Sequence, residues 1–145
     1  IEDAALLIQD YTRVTPLEYS SYYSDISGAE VWLKLENLQV TGSFKARGAL
    51  LGIRNLTDAQ RAAGVVAASG GNHALAVSWA AKAAGVDALI TMPKATDPAR
   101  VAGCEALGAT VQLYDDMATA FAAMNEAASN GAFCSAKAAF TFATA

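Results

Sequence analysis

Three short apolar runs in the middle of the chain constrain the fold more than any other feature. They are Val65–Ala68, Ala88–Met92 and Thr110–Tyr114. Each run is continuous in apolar character rather than alternating, which is typical of a strand buried on both faces. Helical segments separate and follow the runs. This alternation predicts an α/β fold with an open, mainly parallel sheet of three to four strands and flanking helices.

Local signals set the bounds of the helices. Asp97 is suited to an N-cap and Pro98 to the first helical position, and Gly85 is a natural helix stop. The segment 131–145 has no clear period and receives no assignment. We expect helices at 1–9, 43–55, 58–63, 73–84, 98–107 and 117–128, and a further strand at 31–36.

Composition narrows the class of function. The chain has 145 residues, of which 54% are apolar and 17% charged, so it is globular with room for a core. A net charge of −4 argues against nucleic acid as a partner. Neither a membrane span nor a secretion signal is recognisable. Cys104 and Cys134 lack metal-ligand spacing, and the single histidine excludes a histidine-built metal cluster. We therefore expect a cytoplasmic protein that acts on small molecules and holds no metal.

A lysine follows a tight polar turn in the segment Thr41–Ala49, which reads TGSFKARGA. This turn places Lys45 directly behind the predicted strand at 31–36. Lysine amines form Schiff bases with carbonyl compounds, pyridoxal phosphate among them. Taken alone, Lys45 reads as an ordinary solvated charge, as most lysines are.

A second polar loop follows the first apolar run and consists of Ser69, Gly70, Gly71, Asn72 and His73. Ligands of open α/β sheets bind at the carboxyl ends of strands, and a helix N-terminus there suits a carboxylate or phosphate. The two glycines allow close approach of the backbone. The alternative is a polar helix cap with a flexible start. For the histidine alone, a packing or hydrogen-bonding role is favoured over catalysis.

Together these segments resemble a known family. Leu33–Gln39 and Thr41–Ala49, followed by Ser69–His73, are similar to the serine/threonine dehydratases, which are fold-type II pyridoxal-phosphate enzymes and include serine racemase. The stretch from Met92 to Ala109 is similar to the small domain of that family, and the resemblance runs from Tyr11 to Ala128. It implies part of the large domain at 1–50, an α/β small domain at 51–130 and an atypical tail at 131–145.

The resemblance also implies a role for each matched residue. Lys45 would be the Schiff-base lysine and the base for the substrate Cα proton. Phe44 would pack beside the cofactor ring, and Asn72 would hydrogen-bond the cofactor 3′-oxygen. The reaction implied is β-elimination of water from serine or threonine, giving a 2-oxo acid and ammonia. The residues expected around the substrate carboxylate are Ser43, Ser69, Gly70, Gly71 and His73.

Gly70 separates two activities within the family. Serine racemases typically carry a second serine at this position, where it acts as the acid and base on the opposite face of the cofactor. Glycine cannot transfer a proton, so dehydratase chemistry is expected here rather than racemisation.

The family's glycine-rich phosphate loop has no counterpart in the sequence between Ile1 and Ala145. We therefore expect a truncated homologue with weak or no catalysis by this chain alone. Two alternatives stay open: a fragment completed by another chain, or a non-enzymatic ligand-binding or oligomerising module. In each case exposed apolar surface at the N-terminal part predicts a homo-oligomer.

Overall fold

The computed structural model describes residues 2–131 and 133–135 of the chain. Within them, the strands are β1 (Leu17–Tyr19), β2 (Trp32–Lys34), β3 (Val65–Ala68), β4 (Ala88–Pro93), β5 (Thr110–Tyr114) and β6 (Cys134–Ser135). The helices are α1 (Glu2–Ile8), α2 (Ser21–Ser27), α3 (Lys45–Arg54), α4 (Asp58–Ala63), α5 (Asn72–Ala84), α6 (Pro98–Ala106) and α7 (Met117–Ser129). Single 3-10 turns lie at Glu36–Leu38 and Val40–Gly42.

The main sheet is parallel and four-stranded, with the order β5-β4-β3-β6. Val65 pairs with Ala88, and Leu89 pairs with Thr110. The predicted α/β fold with a parallel sheet is confirmed. The fourth strand, β6, comes from the segment that the sequence left unassigned; residues 136–145 of that segment lie outside the described residues.

Capping residues begin and end the helices, as predicted at Asp97 and Gly85. Thr57 caps α4 through a reciprocal pair of hydrogen bonds with Gln60. The carboxylate of Asp97 accepts from the backbone N–H of Ala99 at 2.9 Å, so α6 begins at Pro98. At the other end of α5, Gly85 has φ 65°, the left-handed conformation that ends a helix.

The core lies on both faces of the two central strands. Alternate residues of a strand point to opposite faces. Val65 and Ile90 accordingly belong to a cluster formed with α3 and α5, whereas Val66 and Leu89 contact Met124 of α7. Helices therefore cover both faces of the sheet. The loops that follow β3 and β4 begin at the carboxyl ends of these strands.

The structure differs from the sequence predictions at two elements, β5 and α2. The run Thr110–Tyr114 was predicted to be buried, but β5 is mostly exposed and Leu113 is 45% exposed. The reason is its place at the edge of the sheet, where only β4 pairs with it. The segment Ser21–Ser27, for which no helix was predicted, forms α2 between a cap at Ser20 and the left-handed Gly28.

The N-terminal part of the chain joins the same core. Ile8 of α1 and Leu50 and Ile53 of α3 pack in the cluster that contains β3. The predicted domain boundary at residue 50 falls inside α3, and the division into domains stays a prediction. β1 and β2 form an exposed antiparallel pair. In the part of the chain that the structure describes, no helix has the length and apolar character of a membrane span.

Candidate functional site

The turn Thr41–Ser43 before Lys45, called the lysine turn, has an unusual backbone. Thr41 has φ 64° and Gly42 has φ 72°, so two successive residues are left-handed. A β-branched threonine adopts this conformation only under strain, and such strain tends to persist at functional sites. Ser43 is extended and buried, and Lys45 is the first residue of α3.

The second polar loop leaves the carboxyl end of β3. The backbone N–H of Ser69 donates to the carbonyl of Thr91 at 3.0 Å, continuing the pairing of β3 with β4. The hydroxyl of Ser69 accepts from the backbone N–H of Gly71 at 3.1 Å. Gly71 then takes the N-cap position of α5, and Asn72 is its first helical residue.

The fold brings the two motifs together. α3 packs along α5, and the 3-10 turn Val40–Gly42 contacts α5 as well. The pKa of His73 is lowered from 6.5 by burial and, to a lesser extent, by the positive charge of Lys45. His73 and Lys45 are therefore electrostatic neighbours, and the imidazole is neutral at pH 7.

Two helix N-termini in this region lack side-chain caps. Neither the residue before α3 nor the residue before α5 caps its helix through a side chain, whereas α2, α4, α6 and α7 all have such caps. Uncapped N-terminal N–H groups favour an anion. Phe44, which precedes α3, is 61% exposed, and Nζ of Lys45 lies 4.7 Å from the centre of its ring.

Two buried hydroxyls beside the lysine have no hydrogen-bond partner among the described residues. They are Oγ1 of Thr41 and Oγ of Ser43. An unpaired buried polar atom costs free energy, so a native structure needs a reason for each one. A bound polar ligand at the turn would supply the missing partners.

The glycines of the loop differ in the space around them. A Cβ added at Gly71 would meet nothing within 4 Å, so this glycine borders open space. A Cβ added at Gly70 would lie 2.6 Å from Oγ1 of Thr96. Thr96 thus occupies the position that a side chain at residue 70 would need.

The ion pair between Arg47 and Glu36 connects the two ends of the lysine turn. Nε and Nη2 of Arg47 each donate to a carboxylate oxygen of Glu36 at 2.8 Å, and the hydroxyl of Thr15 donates to the same carboxylate. The hydrogen bonds from Arg47 lower the pKa of Glu36 from 4.5 to about 2 against the opposing effect of burial. The pair joins the residues before the turn to the helix after it.

Sequence reasoning missed three residues of this region, namely Glu36, Thr96 and Arg100. Nη1 of Arg100 donates to Oδ1 of Asn72 at 2.8 Å. Thr96 lies in the connection between β4 and α6 and Arg100 in the first turn of α6, and only the sheet order brings these residues beside the loop after β3.

Comparison with known proteins decides the family. A family model described as pyridoxal-phosphate dependent enzyme matches residues 8–140. The chain belongs to this family. The predicted family, fold class and cofactor class are confirmed, and the match extends beyond residue 128, where the sequence resemblance was expected to stop.

Several relatives are dehydratases. The chain is 47% identical over 114 residues to the catabolic L-threonine dehydratase of Staphylococcus aureus, an overlap of 78% of this chain and 33% of that protein. It is 44% identical over 113 residues to the L-threonine ammonia-lyase of Thermotoga maritima, an overlap of 78% and 28%. The chain spans about a third of the length of these curated relatives.

A solved structure gives the same fold. Maize serine racemase superposes with a TM-score of 0.82 at 30% identity, covering 92% of this chain and 41% of that one. The described residues therefore have the same arrangement as part of a fold-type II enzyme.

Proposed function

We propose that this chain carries the lysine and substrate-loop part of a pyridoxal-phosphate-dependent dehydratase site that acts on small hydroxy amino acids. The relatives named as threonine dehydratases and ammonia-lyases support the reaction class. The observation that carries the proposal is the pair of unsatisfied buried hydroxyls at Thr41 and Ser43 beside Lys45.

The available residues fit the cofactor and substrate. Lys45 would hold the cofactor carbonyl carbon through its amine and take the Cα proton of the substrate. Asn72 would meet the aromatic oxygen, and the exposed ring of Phe44 would pack beside the cofactor. When bound, the cofactor supplies an electron sink for the charge that develops at Cα.

The substrate carboxylate would bind between the two motifs. The N-terminus of α5 has no side-chain cap and carries a partial positive charge, and the hydroxyls of Ser43 and Ser69 can donate to an anion. Gly71 leaves room for the ligand to reach the backbone. A neutral His73 adds no second positive charge beside Lys45.

Elimination is favoured over racemisation because position 70 is occupied by glycine. The contact of 2.6 Å that an added Cβ would make with Thr96 supports this choice, since a serine at position 70 would require Thr96 to move. Racemisation of L-serine at a rate comparable to pyruvate formation would contradict this part of the proposal.

A spectroscopic titration tests the cofactor site. Pyridoxal phosphate added to the purified chain is expected to give the absorption band of an imine, and Lys45→Ala is expected to abolish it. Lys82→Ala is a matched control, because Lys82 lies in the last turn of α5 and its Nζ donates to the carbonyl of Ala106. A band that survives in Lys45→Ala, or no band in the parent chain, would refute the proposed site.

A self-associating module is the second candidate, and one observation favours it. Large apolar side chains of the N-terminal part are exposed, including Val14 (99%), Tyr22 (68%), Ile26 (68%) and Trp32 (54%). Such a surface supports association with a second copy of this chain in the cytoplasm. Light scattering should find an oligomer that Ile26→Glu dissociates, whereas Leu113→Glu on β5 leaves it intact. A monomer at micromolar concentration would contradict the association.

A further inference from the structure

One hydrogen bond links the polar loop to the next helix of the fold. Nη1 of Arg100, in the first turn of α6, donates to Oδ1 of Asn72 at 2.8 Å. A guanidinium has donors and no acceptor. The atom of the Asn72 amide that faces Arg100 must therefore be its oxygen, which fixes the rotation of the amide group.

This orientation decides what Asn72 can offer a ligand. With Oδ1 occupied, the atom left for the ligand is Nδ2, which carries two donors. A donor facing the aromatic oxygen of the cofactor favours its anionic form, since hydrogen bonds to a charged group stabilise that charge.

We propose that Arg100 is a positioning residue, which holds the Asn72 amide so that its N–H groups, and not its oxygen, face the cofactor. The inference rests on the proposed function of Asn72. It adds a residue from a different crossover of the sheet to the site.

The backbone around Arg100 is well fixed. The backbone N–H of Arg100 donates to the carbonyl of Asp97 at 2.8 Å, and Asp97 also caps α6. The same connection places Thr96 against Gly70. The polar loop is therefore approached at two points, by Thr96 of the connection after β4 and by Arg100 of α6, and Arg100 is half-buried.

The test compares Arg100→Met, Arg100→Lys and a control, Arg61→Met. Arg61 also makes one hydrogen bond through its guanidinium, to the carbonyl of Ala84 at 2.9 Å, and is not part of the site. The first readout needs no cofactor: the side-chain NH₂ resonances of Asn72 in ¹⁵N spectra. They are expected to shift in Arg100→Met, to shift less in Arg100→Lys and to stay unchanged in Arg61→Met.

The second readout is the absorption spectrum with pyridoxal phosphate bound. Arg100→Met should reduce the ratio of the visible band to the near-ultraviolet band about fivefold, the scale of one lost hydrogen bond, and Arg100→Lys should restore part of it. Asn72→Asp keeps a partner for Arg100 but removes the donor, so it should reduce the ratio as well. Arg61→Met should match the parent chain.

The outcomes separate the two proposals. A band that depends on Lys45 but has the same ratio in Arg100→Met as in the parent would overturn the positioning role alone. Absence of the imine band in the parent chain, or its survival in Lys45→Ala, would refute the proposed function. The Asn72 resonances would still decide whether Arg100 orients the amide. Unchanged resonances in Arg100→Met would overturn the positioning role of Arg100.

Discussion

Replacing Glu36 by glutamine tests how the lysine turn is held in place. Glu36 precedes the turn and Arg47 follows it, and two hydrogen bonds of 2.8 Å join their side chains. Glutamine keeps one acceptor oxygen but presents an amide NH₂ to a guanidinium that can only donate. The substitution therefore removes the charge and one hydrogen bond while keeping the shape of the side chain.

The size of the effect follows from the pKa of Glu36. Hydrogen bonds from Arg47 lower it from 4.5 to about 2, a difference worth about 3 kcal/mol of stability at pH 7 as an upper bound. The side chain of Arg47 is 34% exposed and that of Glu36 is 16% exposed, so solvent screens part of the interaction. We expect Glu36→Gln to lower the free energy of unfolding by about 1–2 kcal/mol at pH 7.

The pH dependence has a defined sign. A carboxylate whose pKa is lowered by folding contributes its full stability above the unfolded value of 4.5 and loses it as the pH falls toward about 2. The difference between Glu36→Gln and the parent chain should therefore be constant from pH 6 to 8 and fall below half by pH 3.

Urea unfolding followed by circular dichroism measures this difference, with an expected midpoint shift of about 0.5–1 M at pH 7. Asp115→Asn is the matched control, because the Lys94–Asp115 pair is short at 2.6 Å but its side chains are 64% and 83% exposed. Its effect should stay below about 0.5 kcal/mol. Equal losses in the two variants, or a loss in Glu36→Gln that is as large at pH 3 as at pH 7, would refute the reasoning.

Three further predictions concern the turn and the polar loop. Thr41→Gly should raise the free energy of unfolding by about 0.5–1 kcal/mol in urea, because glycine tolerates φ 64° without strain; a clear loss would contradict the strain. Gly70→Ser should lower the free energy of unfolding by about 1–3 kcal/mol, and adding Thr96→Ala should recover most of this loss, since it removes the two nearest Thr96 atoms and leaves Cβ at 3.6 Å; equal losses in both backgrounds would count against the contact. Lys45→Met should raise the pKa of His73 in an NMR titration while leaving it below 6.5, because burial is the larger cause; a fall would refute the assigned causes.

The strands and the two motifs could be predicted because local patterns carry them. The buried runs at Val65–Ala68 and Ala88–Met92 match β3 and β4, and Asp97 and Pro98 mark the start of α6 as expected. The exposure of β5 could not be read the same way. An apolar run indicates a strand, but its burial depends on its place in the sheet, and β5 lies at the edge.

The same distinction holds for the site. Lys45 and the polar loop at Ser69–His73 each had a local signal, and their order along the chain carried the resemblance. Thr96 and Arg100 have no such signal, since they meet the loop only because β4 lies beside β3. The ion pair of Glu36 could not be predicted for a similar reason, because its partner Arg47 lies on the other side of the turn.

Chemical trapping tests the central claim, that Lys45 is the cofactor lysine of this chain, most directly. Pyridoxal phosphate is added to the native chain, any imine is reduced with borohydride to a stable amine, and the modified peptide is located by mass spectrometry. We predict that the phosphopyridoxyl group is found on Lys45, whereas unfolded protein shows no such preference. Modification spread over the exposed lysines, or concentrated on a lysine other than Lys45, would contradict it.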